Sequence, residues 1–314
     1  MVATASKTDD LPGLTPVSMT RYEREFDGFA HDLGASFERY GFAVVADHGL
    51  DPDLLRDALE QTKAFFALPE EAKRRHHLAG GGGQRGYTPF GVETAKGAKA
   101  HDLKEFWHIG RDLPEGHRYD RYMPANVWPG EVPEFEATLG RLYGALDALG
   151  LRVLQAVARH LELPRDWFDD KVQLGNSVLR LLHYPPAPFD GPNIRAAAHE
   201  DINVITLLLG ADEAGLEIRD RDGRWLAVNP PAGAVVCNIG DMLERLTGGR
   251  LPSTTHRVVN PAPERRGVSR YSTPFFLHFE PEFLIESLPG TPPAEPPITA
   301  HDFLEQRLRE IKLR

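Results

Sequence analysis

From residue 172 onward the chain breaks into short apolar runs separated by Gly, Pro and Asp, and this texture restricts the fold more than any other feature. The runs are Val178 to Leu182, Val204 to Leu209, Leu216 to Ile218, Trp225 to Val228, Ala234 to Ile239, Arg257 to Val259 and Phe275 to Phe279. Each has the length of a strand, and turn pairs such as Asp222-Gly223 lie between them. Short strands at close intervals predict an antiparallel sandwich or barrel. Within that class the jelly roll, two facing sheets with a cavity at one end, best suits a buried site.

The rest of the chain reads as helices around that core. Phe26, Phe29, Leu33 and Phe37 recur at three and four residues, which predicts an amphipathic helix over 20–40 that Gly41 ends. Phe42 to Val45 is a short buried strand, and Asp47-His48-Gly49 a turn. Asp51 then suits an N-cap and Pro52 a first helical position, for a helix through Leu55, Leu59 and Phe65-Phe66 to Leu68-Pro69. The longest periodic stretch runs from Pro133 to Leu163, and a Pro-rich connector, Pro289 to Pro297, leads to a last helix capped by Thr299, with Phe303, Leu304, Leu308 and Ile311 inward. The resulting division is a flexible tail (1–18), an N-terminal helix and strand region (19–130), a long packing helix (131–170), a catalytic core (171–285), and the connector with its helix (286–314). The fold class is mainly β with flanking helices (α+β), a jelly-roll or double-stranded β-helix core wrapped at both ends of the chain.

Composition excludes several kinds of partner. The 314 residues carry 36 basic and 46 acidic side chains, a net charge of −10, which argues against nucleic acid. The cluster Lys73-Arg74-Arg75 with His76 and His77 reads as a solvated helix C-terminus. No run approaches the length needed to span a bilayer, and the first eighteen residues contain Lys7, Asp9 and Asp10 rather than an apolar leader. A cytoplasmic protein with no obligate protein partner is expected. Cys237 is the only cysteine and lies in an apolar run, as a small buried hydrophobe would. The four glycines Gly80 to Gly83 lack the Gly-Lys-Ser/Thr ending of a phosphate loop.

Chemistry concentrates at His199-Glu200-Asp201. In an extended segment alternate side chains share a face, so His199 and Asp201 can address one ion while Glu200 points away. His256, returning on a neighbouring strand, would complete two imidazoles and one carboxylate, the ligand set of non-haem Fe(II) oxygenases. The same three residues could hold zinc for a hydrolase. Arg270 and Ser272 are two apart and share a strand face, and a guanidinium buried beside a metal needs an anion.

His-x-Asp, the distal His256 and Arg270-x-Ser272 occur in order, after Leu179-Arg180-Leu181-Leu182-His183-Tyr184-Pro185-Pro186. With Tyr40 to Gly49 and Phe65-Phe66-Ala67-Leu68-Pro69, the chain resembles the isopenicillin N synthase-like family of Fe(II)- and 2-oxoglutarate-dependent dioxygenases. The step of 14 residues from His256 to Arg270 is longer than the family's usual one, and suggests an insertion at Pro261 to Gly267. The resemblance implies Fe(II) on His199, Asp201 and His256, and 2-oxoglutarate held at its distal carboxylate by Arg270 and Ser272, with Tyr184 as a third contact. It implies O2 as oxidant, ascorbate as a stimulant, and hydroxylation, desaturation or ring closure of a small molecule. An oxidase of the same family that needs no 2-oxoglutarate is the nearest alternative, and a jelly roll that only binds a ligand is a further one. Arg85, Tyr87, Lys104 and Trp107 are expected near the mouth, where the cations would suit a carboxylate-bearing substrate. His183 and His278 are expected to be structural.

Overall fold

The computed structural model describes residues 14–78, 83–92, 102–186, 194–209, 215–291 and 295–310. Most of the expected tail, Gly80 to Gly82, part of the Pro-rich connector and Ile311 lie outside these described residues. In chain order the first part contributes β1 (Val17–Ser18), α1 (Arg21–Arg24), α2 (Phe26–Tyr40), β2 (Phe42–Ala46), α3 (Pro52–Phe66), α4 (Glu70–Arg74), β3 (Gly86–Thr88), β4 (Glu105–Gly110), α5 (Phe135–His160) and α6 (Asp169–Val172). The second part contributes β5 (Val178–Tyr184), β6 (Ala196–His199), β7 (Ile205–Leu209), β8 (Leu216–Arg219), β9 (Trp225–Ala227), β10 (Val235–Ile239), α7 (Asp241–Leu246), β11 (His256–Val258), β12 (Arg270–Leu277), β13 (Leu284–Ile285), β14 (Ile298–Thr299) and α8 (Ala300–Glu310).

Local signals account for three helix ends. The Asp51 carboxylate accepts from the Asp53 amide at 2.9 Å, with Pro52 at the first position of α3. Gly41 closes α2 at φ 68°, a left-handed conformation that costs glycine little. Thr299 accepts from the Asp302 amide at 3.1 Å to start α8. The helix expected over 20–40 is instead two, because the non-helical backbone at Glu25 (φ −150°, ψ 53°) interrupts the run between α1 and α2. The stretch expected to be insertion after β11 folds as a short 3₁₀ turn, Pro263–Arg265.

The strands form a sheet in the order β1-β2-β10-β7-β12-β5-β4-β3 and a second in the order β6-β11-β8-β9. All pairings are antiparallel except β1 with β2. Alternation splits the large sheet into two faces. Leu179, Leu181, Leu207, Val235, Cys237, Phe275 and Leu277 join α2, α3 and α5 in the main hydrophobic core. The opposite face carries Phe42 and Val236, which pack on Leu216, Ile218 and Val228 of the smaller sheet. The two sheets therefore face each other, as a jelly roll requires, and the helices clothe one side of the larger one. Among the described residues no helix is long and apolar enough to cross a membrane.

Candidate metal centre and carboxylate site

β6 and β11 are antiparallel neighbours, and their register sets His256 opposite His199. Asp201 follows β6 as the chain turns toward β7. The three side chains are the group of potential metal ligands found among the described residues, with one ligand atom from each within 4.8 Å of the others. Asp201 Oδ1 lies 3.9 Å from His199 Nε2 and 3.8 Å from His256 Nε2, and the two imidazole centroids are 4.4 Å apart.

Every remaining polar atom of the three is already engaged. His199 Nδ1 donates to the Ala197 carbonyl at 2.7 Å and His256 Nδ1 to the Thr254 carbonyl at 3.1 Å. Each ring thereby presents an unprotonated Nε2 to the common point. Asp201 Oδ2 accepts from the Thr206 hydroxyl at 2.5 Å and from Asn238 Nδ2 at 2.8 Å, leaving Oδ1 to face the histidines. Asn203 holds Thr206 in turn, and the Asp241 amide donates to the Asp201 carbonyl at 2.7 Å. Burial pushes the Asp201 carboxyl up, but His256, His199 and the two hydrogen bonds outweigh it, so the group stays below its usual range. The His199 side chain is 37% exposed, against 7% for Asp201. Burial, with His256 beside it, lowers this imidazole to about 4, which keeps it neutral and ligating at neutral pH. Glu200 is turned outward, its carboxylate accepting from the Thr255 hydroxyl at 2.7 Å.

Arg270 opens β12 directly across from Tyr184 at the end of β5, with its guanidinium 5.1 Å from the tyrosine ring centroid. Ser272 follows on the same face, and both it and Arg270 are buried. Burial lowers the Arg270 guanidinium while Tyr184, hydrogen-bonded to it, raises it. Arg195, absent from the sequence-based expectations, lies with this group. The signal it offered was a cation four residues before a metal ligand, at the mouth of β6.

The other expected residues scatter. Lys104 is buried, paired with Asp102 at 2.8 Å, and its charge reaches His199. Arg85 is buried with its guanidinium over Gly110, where an added Cβ would come 1.8 Å from Cζ. Tyr87 and Trp107 instead face the helical layer, which corrects their expected place at the mouth. Trp107 packs edge-on against Phe65 and Phe135, and Tyr87 donates to buried Glu105. The strand pleat explains this, because Trp107 shares a face of β4 with Glu105 and Ile109, opposite to Phe106. Lys73 is a second correction: it is buried against Glu105 at 2.7 Å and not solvated. His183 also bonds Glu105, at 2.7 Å, and stacks on Tyr271. Inside the barrel, the register from Asn238 and Thr206 leads to Phe276, and the Arg180 guanidinium lies 5.2 Å from that ring and 4.4 Å from Phe106. Cys237 is fully buried and its thiol is pushed up to about 12 by that burial, which suits packing and not nucleophilic attack.

Two facing sheets with two imidazoles and a carboxylate at one end of the cavity define a mononuclear non-haem metal enzyme. Comparison with known proteins is specific. Residues 16–131 match the model of the non-haem dioxygenase in morphine synthesis N-terminal family, and residues 175–279 that of the 2OG-Fe(II) oxygenase superfamily. A 2-oxoglutarate-Fe(II) type oxidoreductase of Emericella nidulans is 34% identical over 287 residues, 86% of this chain and 80% of its own length. Among solved structures, a 2OG-Fe(II) oxygenase family protein of Caulobacter crescentus is 59% identical with a TM-score of 0.88, covering 95% of this chain and 98% of its own. A full-length Neurospora crassa protein, solved in complex with alpha-KG and thymine, is 28% identical with a TM-score of 0.85, covering 96% and 98%. The chain belongs to the 2OG-Fe(II) oxygenase superfamily and is an Fe(II)- and 2-oxoglutarate-dependent dioxygenase. The residues present fit both groups: three oriented metal donors with no competing hydrogen bond on their inward atoms, and buried guanidinium groups that call for a carboxylate.

Proposed function

We propose that His199, Asp201 and His256 hold the iron, that Arg270 and Ser272 receive the distal carboxylate of 2-oxoglutarate with Tyr184 beside them, and that the substrate is a small carboxylate-bearing molecule. Bound together, Fe(II) and 2-oxoglutarate would supply, with O2 as the oxidant, an oxidative decarboxylation to succinate and carbon dioxide that leaves the second oxygen atom's oxidising power for hydroxylation, desaturation or ring closure of the substrate. The chain's own part is positional. The Ala197 and Thr254 carbonyls fix the tautomer of each histidine, and Thr206 and Asn238 fix which oxygen of Asp201 faces inward. The guanidinium fork of Arg270 selects the bidentate anion, and the sheets exclude water from the reacting atoms. The observation that carries this reading is the convergence of three otherwise satisfied side chains on one point, with a buried arginine on the same inner surface.

Two kinds of support bear on the substrate. Lys104 lies close enough to His199 for its charge to be felt there, and Arg180 adds a cation between two aromatic rings on the inner face. Relatives act on or bind small molecules: the Neurospora crassa protein holds thymine, and a proline hydroxylase of Petromyces alliaceus is 32% identical over 265 residues. A cytoplasmic setting belongs to the same reading, since a single buried thiol needs no oxidising compartment.

Anaerobic Fe(II)-loaded protein should develop a visible charge-transfer band on adding 2-oxoglutarate, and a screen of small acids and amino acids should find compounds that stimulate succinate release. His199→Ala is expected to abolish both. A band that survives the substitution removes His199 from the ligand set, and no band in the parent protein would favour an oxidase that does without 2-oxoglutarate. With a stimulating compound in hand, Lys104→Ala and Arg85→Ala should weaken its binding while uncoupled 2-oxoglutarate turnover stays unchanged; unaltered binding in both variants would take these two cations out of the substrate site.

A further inference from the structure

An electrostatic cost is left open at Arg195. Its side chain is 1% exposed, yet Nε and Nη1 have no hydrogen-bond partner. Nη2 reaches only the Val268 carbonyl, at 3.5 Å, the outer edge of a hydrogen bond. No carboxylate pairs with it among the described residues. A guanidinium desolvated to this degree is costly unless an anion meets it.

Its location narrows which anion that is. Arg195 stands just before β6, four residues ahead of His199, and the carbonyl it touches is two residues ahead of Arg270. The entry to β6 is pinned: the Leu103 amide donates to the Ile194 carbonyl at 3.3 Å, and the Ala197 amide to Asp102 Oδ1 at 3.1 Å. The guanidinium therefore lies at the Arg270 end of the cavity, within electrostatic reach of both Arg270 and Tyr184. Burial, and after it the charge of Arg270, lower it to about 10, so it remains a cation at neutral pH. Two neighbouring buried cations repel each other, and one carboxylate between them offsets both costs together. A carboxylate has about four acceptor positions, enough for donors from both arginines as well as a hydroxyl.

We propose that Arg195 is a second arginine for the distal carboxylate of 2-oxoglutarate, binding it from the β6 side while Arg270 binds it from β12. The assignment rests on the Arg270 reading given above. It makes Arg195 a determinant of co-substrate choice, selecting 2-oxo acids that carry a second carboxylate over those that end in an alkyl group.

The test compares two ligands with the same chelating head, 2-oxoglutarate and 2-oxobutyrate, the second lacking the distal carboxylate. Each is titrated anaerobically into Fe(II)-loaded protein and followed by the charge-transfer band, which reads binding and not turnover. Arg195→Met is expected to raise the Kd for 2-oxoglutarate by about 10- to 100-fold, the loss expected for charge-assisted hydrogen bonds. The Kd for 2-oxobutyrate should stay within about twofold, on the same physical ground that it has no carboxylate to lose. Arg195→Lys keeps the charge without the planar donors, and should weaken 2-oxoglutarate selectively by about 3- to 10-fold; it carries the test if the Met variant does not fold. Equal weakening of both ligands, or unchanged 2-oxoglutarate binding, overturns the proposal. Arg270→Met separates the two assignments. Selectivity lost in Arg270→Met but kept in the Arg195 variants overturns Arg195 alone, whereas selectivity kept in Arg270→Met overturns the Arg270 reading and this proposal with it.

Discussion

Asp201 shows how much of a metal site is made by residues that never touch the metal. A carboxylate has two equivalent oxygens, and here they differ only because Thr206 and Asn238 occupy one of them. Asn238→Ala or Thr206→Val should lower metal affinity by about 10- to 100-fold without changing the ligand set, as measured by chelator competition. An affinity within about twofold of the parent in both variants would mean that Asp201 is held by other means. The triplet His199-Glu200-Asp201 was legible in the sequence because strand alternation is a local rule. Asn238 was not, although a polar residue in the apolar run Ala234 to Ile239 was a visible irregularity. Arg195 was illegible for a different reason: a lone arginine in sequence looks like a surface residue until its surroundings show that no acid among the described residues accompanies it.

Elements were recovered where periodicity was clean and lost where burial is two-sided. β7, β10 and α5 match the expected runs closely. The sequence of β4, Glu105–Gly110, mixes charged and aromatic residues without a period, and the structure supplies the cause, since all six of its residues are buried and no polar face alternates with an apolar one. Its Glu105 is the centre of a buried network with Lys73, His183 and Tyr87 that ties α4, β3, β4 and β5 together. Burial pushes the Glu105 carboxyl up, yet hydrogen bonds from His183, Lys73 and Tyr87 bring it below its ordinary value. Glu105→Ala leaves the buried Lys73 ammonium with only the half-exposed Glu70 carboxylate, 3.3 Å away, removes the carboxylate shared by His183 and Tyr87, and should destabilise the protein by about 3 kcal/mol in chemical denaturation. The double substitution Lys73→Met with Glu105→Leu should recover most of that loss. A single-variant loss below about 1 kcal/mol would show that the network opens to water.

For the molecule as a whole, acid sensitivity follows from histidines that the fold keeps neutral. His278, at the end of β12, is buried and lowered to about 4 by that burial, with its Nδ1 donating to the Phe276 carbonyl. In the unfolded chain it returns to about 6.5, so the unfolded state binds the extra proton first. Stability tied to His278 is complete above about 6.5 and is lost as pH falls toward 4, amounting to about 3 kcal/mol from a shift of that size. Denaturant melts of metal-free protein at about pH 7.5 and 4.5 should show this, and His278→Phe should flatten the difference. An equally steep pH dependence in the variant would place the titrating group elsewhere.

Local periodicity and spacing, read along the chain, encode the strand-rich second half, the helices that clothe it, and the order His199, Asp201, His256, Arg270, Ser272. The resemblance to a dioxygenase family rested on that order. Which faces those residues share was settled in three dimensions. Folding turned Trp107 and Tyr87 toward the helices, buried Lys73, brought Asn238 behind Asp201 and set Arg195 beside Arg270. The reason is physical: a strand's pleat is a property of neighbours in sequence, but which sheet or helix covers each face, and which charge meets which, depends on partners remote in sequence.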